Sequence, residues 1–420
     1  MFMTLLHAAQ DTPDKGTLQV NVISSENNFP VENATVSIAN TDTPDQVIEE
    51  LTTNSSGQTQ QVELPAPPLE YSQQADEPRP YTEYTIRITA PGFEPMTIEG
   101  TEVLPTATAL QGVRLRPLQI GPSSPIIIPD HRLYGTYPPK IPEDEIKPTT
   151  ETGEIVLSRV VVPQTVVVHD GVPTDASAKD YFVPYRDYIK NVASSEIYAT
   201  WPQDTITANV LAIMSFTLNR VYTEWYRNKG YDFTITSSTA YDHKWIYGRN
   251  IFESISVIVD EIFDQYLSRP DVKQPILTQY CDGKRVQCEG WMTQWGSREL
   301  GARGYSPIEI LRYYYGDDMY INTAEQISGI PSSWPGYDLS IGSSGDKVRQ
   351  LQEQLLSIAS VYTAIPSLVP TGYFDEDTAD AVREFQSIFG LPQTGVVDFP
   401  TWYKISHIYV GVGRIGELYP

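Results

Sequence analysis

Prolines crowd together between residues 119 and 162 and divide the chain into two parts with different sequence patterns. They are Pro122, Pro125, Pro129, Pro138, Pro139, Pro142 and Pro148. Because proline lacks a backbone N–H and has a fixed φ, this density disfavours a helix or a central strand and favours an extended connector. We therefore predict that residues 119–161 form a connector or a processed pro-segment.

Before the connector, residues 16–118 alternate apolar and polar side chains in short runs, as in Leu18, Val20 and Val22. Turn-rich breaks such as residues 54–57 separate these runs, and a period of two is typical of half-buried strands. We expect an N-terminal all-β sandwich, preceded by a flexible N-terminus over residues 1–15. The apolar patch at residues 2–6 lacks the basic and long apolar regions of a secretory signal, so none is expected.

After the connector, the pattern predicts a central α+β domain over residues 162–325. It combines a strand at residues 165–168 with a helix whose apolar stripe recurs at steps of three or four: Ile206, Val210, Met214, Leu218, Val221 and Trp225. A break rich in Pro, Ser and Gly at residues 330–336 precedes a last segment with two amphipathic helices, at residues 345–360 and 377–390. The predicted fold class is therefore multidomain, ending in a small all-α bundle over residues 336–410.

The formal net charge is -24, from 53 acidic and 29 basic residues. Nucleic acids and anionic membranes are bound largely through Lys and Arg, so neither is an expected partner. No run of 18 apolar residues predicts a membrane span.

The chain contains two cysteines, Cys281 and Cys288. They could form a disulfide, ligate a metal or remain free. A zinc site needs three or four ligands, and the central domain offers only His169 and His243 as histidine ligands, so we predict no metal and no cofactor.

Glu196 interrupts an apolar helix stripe. In a helix over residues 187–197, Ile189, Val192, Ala193 and Glu196 share one face. A carboxyl group among apolar neighbours favours its protonated form, which a glycosidic general acid needs. Pairing with a buried Arg or Lys, or a position at the solvent edge of the stripe, would equally explain the pattern.

Two sequence blocks resemble the stage II sporulation protein D family, also called SpoIID/LytB domains. The first runs from Val183-Pro184 to Arg220 and includes Val192-Ala193-Ser194-Ser195-Glu196 and Trp201-Pro202. The second includes Met292-Thr293-Gln294-Trp295-Gly296 and Ile308 to Gly316. The resemblance implies a lytic transglycosylase, or a relative of the non-catalytic amidase enhancers, with Glu196 as the catalytic acid.

The chemistry implied by the resemblance needs one carboxyl group. Glu196 would protonate the glycosidic oxygen between MurNAc and GlcNAc, then accept the proton of the MurNAc C6 hydroxyl as it closes a 1,6-anhydro ring. A hydrolytic glucosaminidase would instead need a second carboxylate. Candidates that the sequence does not rank are Asp187, Asp204, Glu224, Asp242 and Asp282.

Eight further residues are candidates for a substrate groove, on the same resemblance and because aromatic faces can stack on sugar rings. They are Tyr198, Trp201, Tyr247, Arg249, Gln279, Tyr280, Gln294 and Trp295. For the aromatic members, packing in the core is the competing interpretation, since large aromatic side chains dominate protein cores.

The two ends of the chain also resemble known modules. Residues 30–36, 56–59 and 84–93 are similar to carboxypeptidase-regulatory-like sandwiches, which carry little functional information. The series from Leu339 to Trp402, with Thr371-Gly372-Tyr373-Phe374-Asp375 at its centre, resembles the peptidoglycan-binding type 1 domain. The resemblance implies binding to wall glycan or stem peptide, unless the module is degenerate and only packs on its neighbour.

The order of these four parts resembles clostridial spore cortex-lytic enzymes of the SleC type. The resemblance implies a zymogen located in the spore cortex or outer layers, outside the spore core. Its substrate would be spore-cortex peptidoglycan, degraded during germination. An activating germination protease would be its second partner and would cut near Arg159 to Pro163.

Overall fold

The computed structural model describes residues 13–118, 124–147, 159–329 and 334–413. Within these ranges the chain forms a sandwich, a central domain and a C-terminal helical module, in the predicted order. The predicted flexible N-terminus lies outside the described residues up to residue 12. Its last part is not flexible coil, because the first strand already begins at Asp14.

The N-terminal sandwich contains seven strands. They are β1 Asp14–Ser24, β2 Thr35–Asn40, β3 Val47–Thr52, β4 Val62–Ala66, β5 Thr82–Thr89, β6 Met96–Val103 and β7 Thr108–Leu115. One sheet has the order β3-β2-β5-β6 and the other has β7-β1-β4. The alternation of the sequence follows the pleat, since Leu18, Val20 and Val22 are all fully buried between the sheets.

The described part of the connector, residues 124–147, is irregular except for β8, Ile126–Ile127, which extends the sandwich in parallel beside β6. The prolines therefore have the predicted effect on secondary structure. The segment is not a free linker, however, because Ile128, Leu133 and Lys140 are buried.

The central domain combines short strands with five helices among its described residues. The strands are β9 Val161–Val162, β10 Thr165–His169, β11 Asp180–Pro184, β12 Ile235–Thr236, β13 Ile251–Phe252, β14 Gln265–Ser268, β15 Tyr280–Cys281, β16 Met292–Thr293, β17 Tyr320–Thr323 and β18 Gln326–Ile327. The helices are α1 Tyr185–Glu196, α2 Gln203–Tyr222, α3 Glu253–Ile262, α4 Gln294–Ala302 and α5 Pro307–Tyr315.

Helix α2 is the centre of this domain, since α1, α3, α4, α5 and β14 all pack against it. It is buried on nearly every side, which is typical of a helix that crosses a core rather than lying on a surface. None of the helices in the described ranges is both long and apolar enough to cross a membrane.

The C-terminal module contains α6 Asp346–Ala359, α7 Glu376–Ile388 and α8 Phe399–Val412. Asp375 and Asp398 cap α7 and α8 by accepting the backbone N–H of the third helical residue. Sequence analysis predicted α6 and α7 but not α8. Helix α8 is apolar around much of its circumference, so it lacks the narrow stripe that identified the other two.

The C-terminal module packs on the central domain around Asp260 of α3. Its buried carboxylate accepts from Lys190 at 2.6 Å and Arg186 at 3.2 Å, and Lys404 of α8 lies 3.5 Å away. Burial by itself would raise the pKa of Asp260, but these three cations outweigh it and hold the pKa well below its ordinary value. One ion pair therefore links the module to this buried carboxylate, beside the packing of Phe263 against Phe399 and Tyr403.

We predict that Asp260→Ala lowers the free energy of unfolding by about 3–5 kcal/mol, because it leaves Lys190 buried without its counter-charge. Chemical denaturation followed by circular dichroism measures this change. The neighbouring exposed carboxylate provides the control, and Glu261→Ala should change stability by no more than about 0.5 kcal/mol. Equal effects of the two substitutions would contradict this account of the contact.

Candidate active site

Glu196 is the last residue of α1, and its side chain is 1% exposed. Ile189, Val192 and Ala193 are buried on the same helix, as the stripe predicted. The alternative that Glu196 lies at the solvent edge of the stripe is therefore wrong. Pairing with a buried Arg or Lys is not what holds it either, because the donors to its carboxylate are an amide and a hydroxyl.

The two carboxylate oxygens of Glu196 have different donors. The backbone N–H of Lys244 donates to Oε1 at 2.6 Å, and the hydroxyl of Tyr280 donates to Oε2. The side-chain amide of Gln294 donates to the backbone oxygen of Glu196 at 3.1 Å. Two separate parts of the central domain therefore fix the orientation of the carboxyl group, and a third binds the backbone of the same residue.

A layer of neutral rings lies behind this carboxylate. His243 stacks on Tyr280 with ring centroids 5.8 Å apart, and its Nδ1 lies 3.0 Å from the hydroxyl of Tyr188. Burial lowers the pKa of His243 well below its ordinary value, so this imidazole is uncharged at neutral pH. It supports Tyr280 without adding a positive charge.

The connector lies directly over this site. The ammonium of Lys140 lies 4.8 Å from the ring centroid of Tyr280 and donates to the backbone oxygen of Asp242 at 2.5 Å. Burial lowers the pKa of Lys140 to about 8. The Arg132 guanidinium donates to the side-chain oxygen of Gln294, so a cation from the connector reaches each of these two site residues.

The connector also closes the end of α1. The backbone N–H of Arg132 donates to Ser195 O at 3.0 Å, and the His131 ring lies 3.2 Å from Ile197 O and 4.6 Å from the Tyr198 ring. The last carbonyl groups of a helix lack intrahelical partners. Here the connector supplies partners and covers the end of the helix that carries Glu196.

Gln279 is bound by the connector at both ends of its amide. Its Nε2 donates to Ile141 O at 2.7 Å, and its Oε1 accepts from the backbone N–H of Glu143 at 2.8 Å. The guanidinium of Arg220 in α2 anchors the same stretch through its ion pair with Glu143 at 2.6 Å. Hydrogen bonds that Gln279 could offer a substrate are thus already used.

The sandwich binds two more of the predicted groove residues. The indole N–H of Trp201 donates to Ser72 O at 2.8 Å, and Arg249 forms a two-pronged ion pair with Glu102. We call residues 13–118 and 124–147 together the cover, since they contact Tyr198, Trp201, Arg249, Gln279, Tyr280 and Gln294. The structure therefore brings most of the predicted groove residues together, but beneath the cover.

The two remaining groove candidates differ from the rest. Tyr247 is 48% exposed and stacks on Tyr181 with centroids 4.8 Å apart. Trp295 is buried between Tyr198 and Trp201, so core packing explains it. Sequence analysis missed the Lys244 amide and the cover residues Glu102, His131, Arg132 and Lys140, and no local pattern marks any of them.

None of the five candidates for a second carboxylate is hydrogen-bonded to Glu196 among the described residues, and each has its own surroundings. Asp242 is buried and paired with Arg220 at 2.7 Å, and Asp282 accepts from the backbone of the turn at residues 284–286. Asp187 and Asp204 are exposed in the first turns of α1 and α2. Glu224 lies just beyond α2, 3.5 Å from Arg227.

Cys281 and Cys288 form a disulfide next to Tyr280. Of the three alternatives for these cysteines, the structure therefore shows the disulfide. Among the described residues, no three His, Cys, Asp or Glu side chains are grouped so that they could hold a metal ion.

Several solved structures resemble a part of the chain, among them the Bacillus anthracis TIE protein, 3-chlorocatechol 1,2-dioxygenase from Rhodococcus opacus and a minor pilin from Streptococcus agalactiae. Their identities are 13%, 14% and 10%, over 25%, 26% and 27% of this chain and 17%, 62% and 48% of theirs. The match thus covers less than two thirds of the length of each of these proteins. A TM-score of 0.18 in each case carries no argument about fold or function. No curated protein matches the chain.

Residues 344–405 match the family model of the putative peptidoglycan-binding domain. The match includes α6, α7 and the first half of α8, and it confirms the predicted C-terminal module. Peptidoglycan is thus supported as a partner, with a role and a location related to the cell wall.

Proposed function

We propose that this protein is a peptidoglycan lytic transglycosylase made as an inactive pro-form, in which the cover lies over the catalytic Glu196. One observation carries the proposal. A buried carboxyl group, fixed by two donors, is bound by the predicted groove residue Tyr280 in a chain that also has a peptidoglycan-binding module. The resemblance to spore cortex-lytic enzymes makes spore-cortex peptidoglycan, degraded during germination, the proposed substrate.

The donors of Glu196 suit a group that both gives and takes a proton. A backbone N–H can only donate, so the Lys244 amide keeps Oε1 as an acceptor. The hydroxyl of Tyr280 can donate to Oε2 when that oxygen carries no proton, and it can accept a hydrogen bond from Oε2 when that oxygen is protonated. We therefore assign the transferred proton to Oε2.

In the proposed reaction, the proton on Glu196 passes to the glycosidic oxygen as its bond to C1 of MurNAc breaks, and GlcNAc leaves with a new hydroxyl group. The carboxylate then takes the proton of the C6 hydroxyl while that oxygen bonds to C1. The engagement of Asp242 and Asp282 in structural contacts favours this mechanism over hydrolysis by a carboxylate pair.

The same geometry suggests where activation begins. Val160 and Val162 are buried, and their carbonyl groups accept from Glu325 at 3.1 Å and Ser328 at 2.9 Å. A protease needs exposed, extended chain, and within the predicted stretch Arg159 is exposed while residues 160–163 are buried or half-buried. We propose that the germination protease cuts before Val160, so that β9 remains with the central domain.

We predict that the activated protein releases muropeptides ending in 1,6-anhydromuramic acid from spore-cortex peptidoglycan, and that Glu196→Gln abolishes the release. The amide keeps the size of the side chain but cannot transfer the proton. Mass spectrometry of the soluble products measures the outcome. Reducing ends would instead indicate a hydrolase, and release that survives Glu196→Gln would remove Glu196 from the mechanism.

We further predict that Arg132→Met combined with Lys140→Met makes the uncleaved chain active. The substitutions remove the connector's cationic contacts with Gln294 and Tyr280. A weakening of the cover by about 1.4 kcal/mol would raise the open population, and the rate of glycan release, about tenfold. Lys179→Met, at an exposed lysine of the central domain, is the matched control and should leave the uncleaved chain inactive.

Hydrogen exchange at the amides of Arg132 and Ile141 shows directly whether the connector has loosened, because both donate to the central domain. Faster exchange without any gain of activity would mean that the cover does not inhibit. That result would favour a non-catalytic wall-binding protein that stimulates an amidase.

A further inference from the structure

The ion pair between Arg249 and Glu102 joins the central domain to the sandwich with both side chains fully buried. Arg249 Nη1 donates to Glu102 Oε1 at 2.8 Å, and Nη2 donates to Oε2 at 2.5 Å. Nη2 also donates to Ser194 O at 3.1 Å, on the helix turn that ends at Glu196. A site shaped for a carboxylate therefore lies beside the catalytic group.

The next residue binds the backbone of the same partner. Asn250 Oδ1 accepts from the N–H of Glu102 at 3.0 Å, and Asn250 Nδ2 donates to the carbonyl of Glu102 at 3.0 Å. One side-chain amide thus satisfies both backbone groups of one residue. This contact recognises a peptide unit and does not depend on the side chain that the unit carries.

The following two residues form a strand against the cover. Ile251 and Phe252 of β13 pair antiparallel with Leu110 and Ala109 of β7, which makes β13 the edge strand of a sandwich sheet. Addition of a strand at a sheet edge is a general mode of peptide recognition. We call Arg249, Asn250 and β13 the clamp.

Apart from Ser194, these partners of the clamp belong to residues 13–118, so they leave the central domain if the cover leaves. Arg249 would then lose its carboxylate, and Asn250 would lose two hydrogen bonds. In addition, Arg249 Nε is buried and has no hydrogen-bond partner even with the cover in place. A guanidinium and a side-chain amide that have lost these partners offer the same donors and acceptor to a ligand of the same chemistry as Glu102.

We propose that the clamp binds an acidic peptide unit of the peptidoglycan stem peptide, and that Glu102 occupies its place in the covered chain. The inference rests on the proposed function and specifies its substrate. Arg249 binds a free carboxylate of the peptide, and Asn250 binds the neighbouring amide unit. Glycan that retains its stem peptides is therefore the preferred substrate.

The charge of the molecule makes this assignment more specific. With a net charge of -24, the surface as a whole repels an acidic peptide. A guanidinium that binds a carboxylate through two parallel hydrogen bonds overcomes that repulsion locally, because charge-assisted pairs of this geometry are the strong ones. The same site gives the neutral glycan chain no comparable gain.

The test measures binding to the full-length chain in a Glu196→Gln background, so that nothing is cleaved. The probe is a soluble disaccharide-tetrapeptide from peptidoglycan, compared with the same molecule after its carboxylates have been amidated. Glu102→Ala leaves Arg249 unpaired and raises the population in which the sandwich has moved away. We expect calorimetry to show at least about tenfold tighter binding of the acidic probe than without Glu102→Ala.

Two controls isolate the clamp. The amidated probe should bind less than about twofold tighter after Glu102→Ala, and addition of Arg249→Gln should abolish the gain for the acidic probe. The C-terminal module contributes equally to every variant and cancels in the comparison. If Glu102→Ala does not fold, as judged by circular dichroism, Glu102→Gln keeps the volume and should give the same order of affinities.

Absence of any gain, an equal gain for the amidated probe, or a gain that persists with Arg249→Gln would overturn the proposal. Glycan cleavage plays no part in this measurement. A chain that binds as expected but never cleaves glycan would therefore contradict the proposed function alone, and the two failures are distinguishable.

Discussion

The burial of the Glu196 carboxylate is the constraint on which the rest of the site depends. A carboxyl group removed from water needs hydrogen-bond donors, and this one receives the Lys244 amide and the Tyr280 hydroxyl. Each donor must in turn be held in place. The His243 ring stacks on Tyr280, and the side chain of Asn191 binds both backbone groups of Ile246, two residues after Lys244. Much of the polar structure of the central domain follows from this requirement.

The cover supplies hydrogen-bond partners to the polar side chains of the groove candidates. Burial of such groups without partners would cost free energy, and the cover provides a partner to most of them. Arg132 binds the side chain of Gln294, and Glu102 binds Arg249. The backbone groups of Ile141 and Glu143 bind the side chain of Gln279. In the proposed pro-form, covalent attachment holds those partners at high effective concentration. Cleavage of the chain turns that attachment into an ordinary bimolecular equilibrium.

Local patterns predicted the elements that a single stretch of sequence determines. The stripe at Ile189, Val192 and Ala193 gave helix α1 to within two residues, and it placed Glu196 correctly on the buried face. Helix α8 was missed because its apolar residues are spread around its circumference. Strand β13 was missed because it is two residues long and exists only through its pairing with β7.

The contacts of the cover could not be predicted for a different reason. Glu102 and Arg249 are 147 residues apart, and Arg132 and Gln294 are 162 apart. No periodicity within a segment reveals such a pairing. The prolines correctly exclude a helix in the connector, but they do not indicate that its apolar and cationic side chains are buried against other parts of the chain.

The most direct measurement of the central claim is the glycan-releasing activity of the chain before and after separation from its cover. A specific protease site inserted between residues 147 and 159 allows the chain to be cut and its two parts to be isolated together or apart by gel filtration. The account predicts no release by the intact chain or the cut but associated complex, and release by the separated part that carries Glu196. Equal release per molecule by the intact chain would show that the cover does not keep substrate from Glu196.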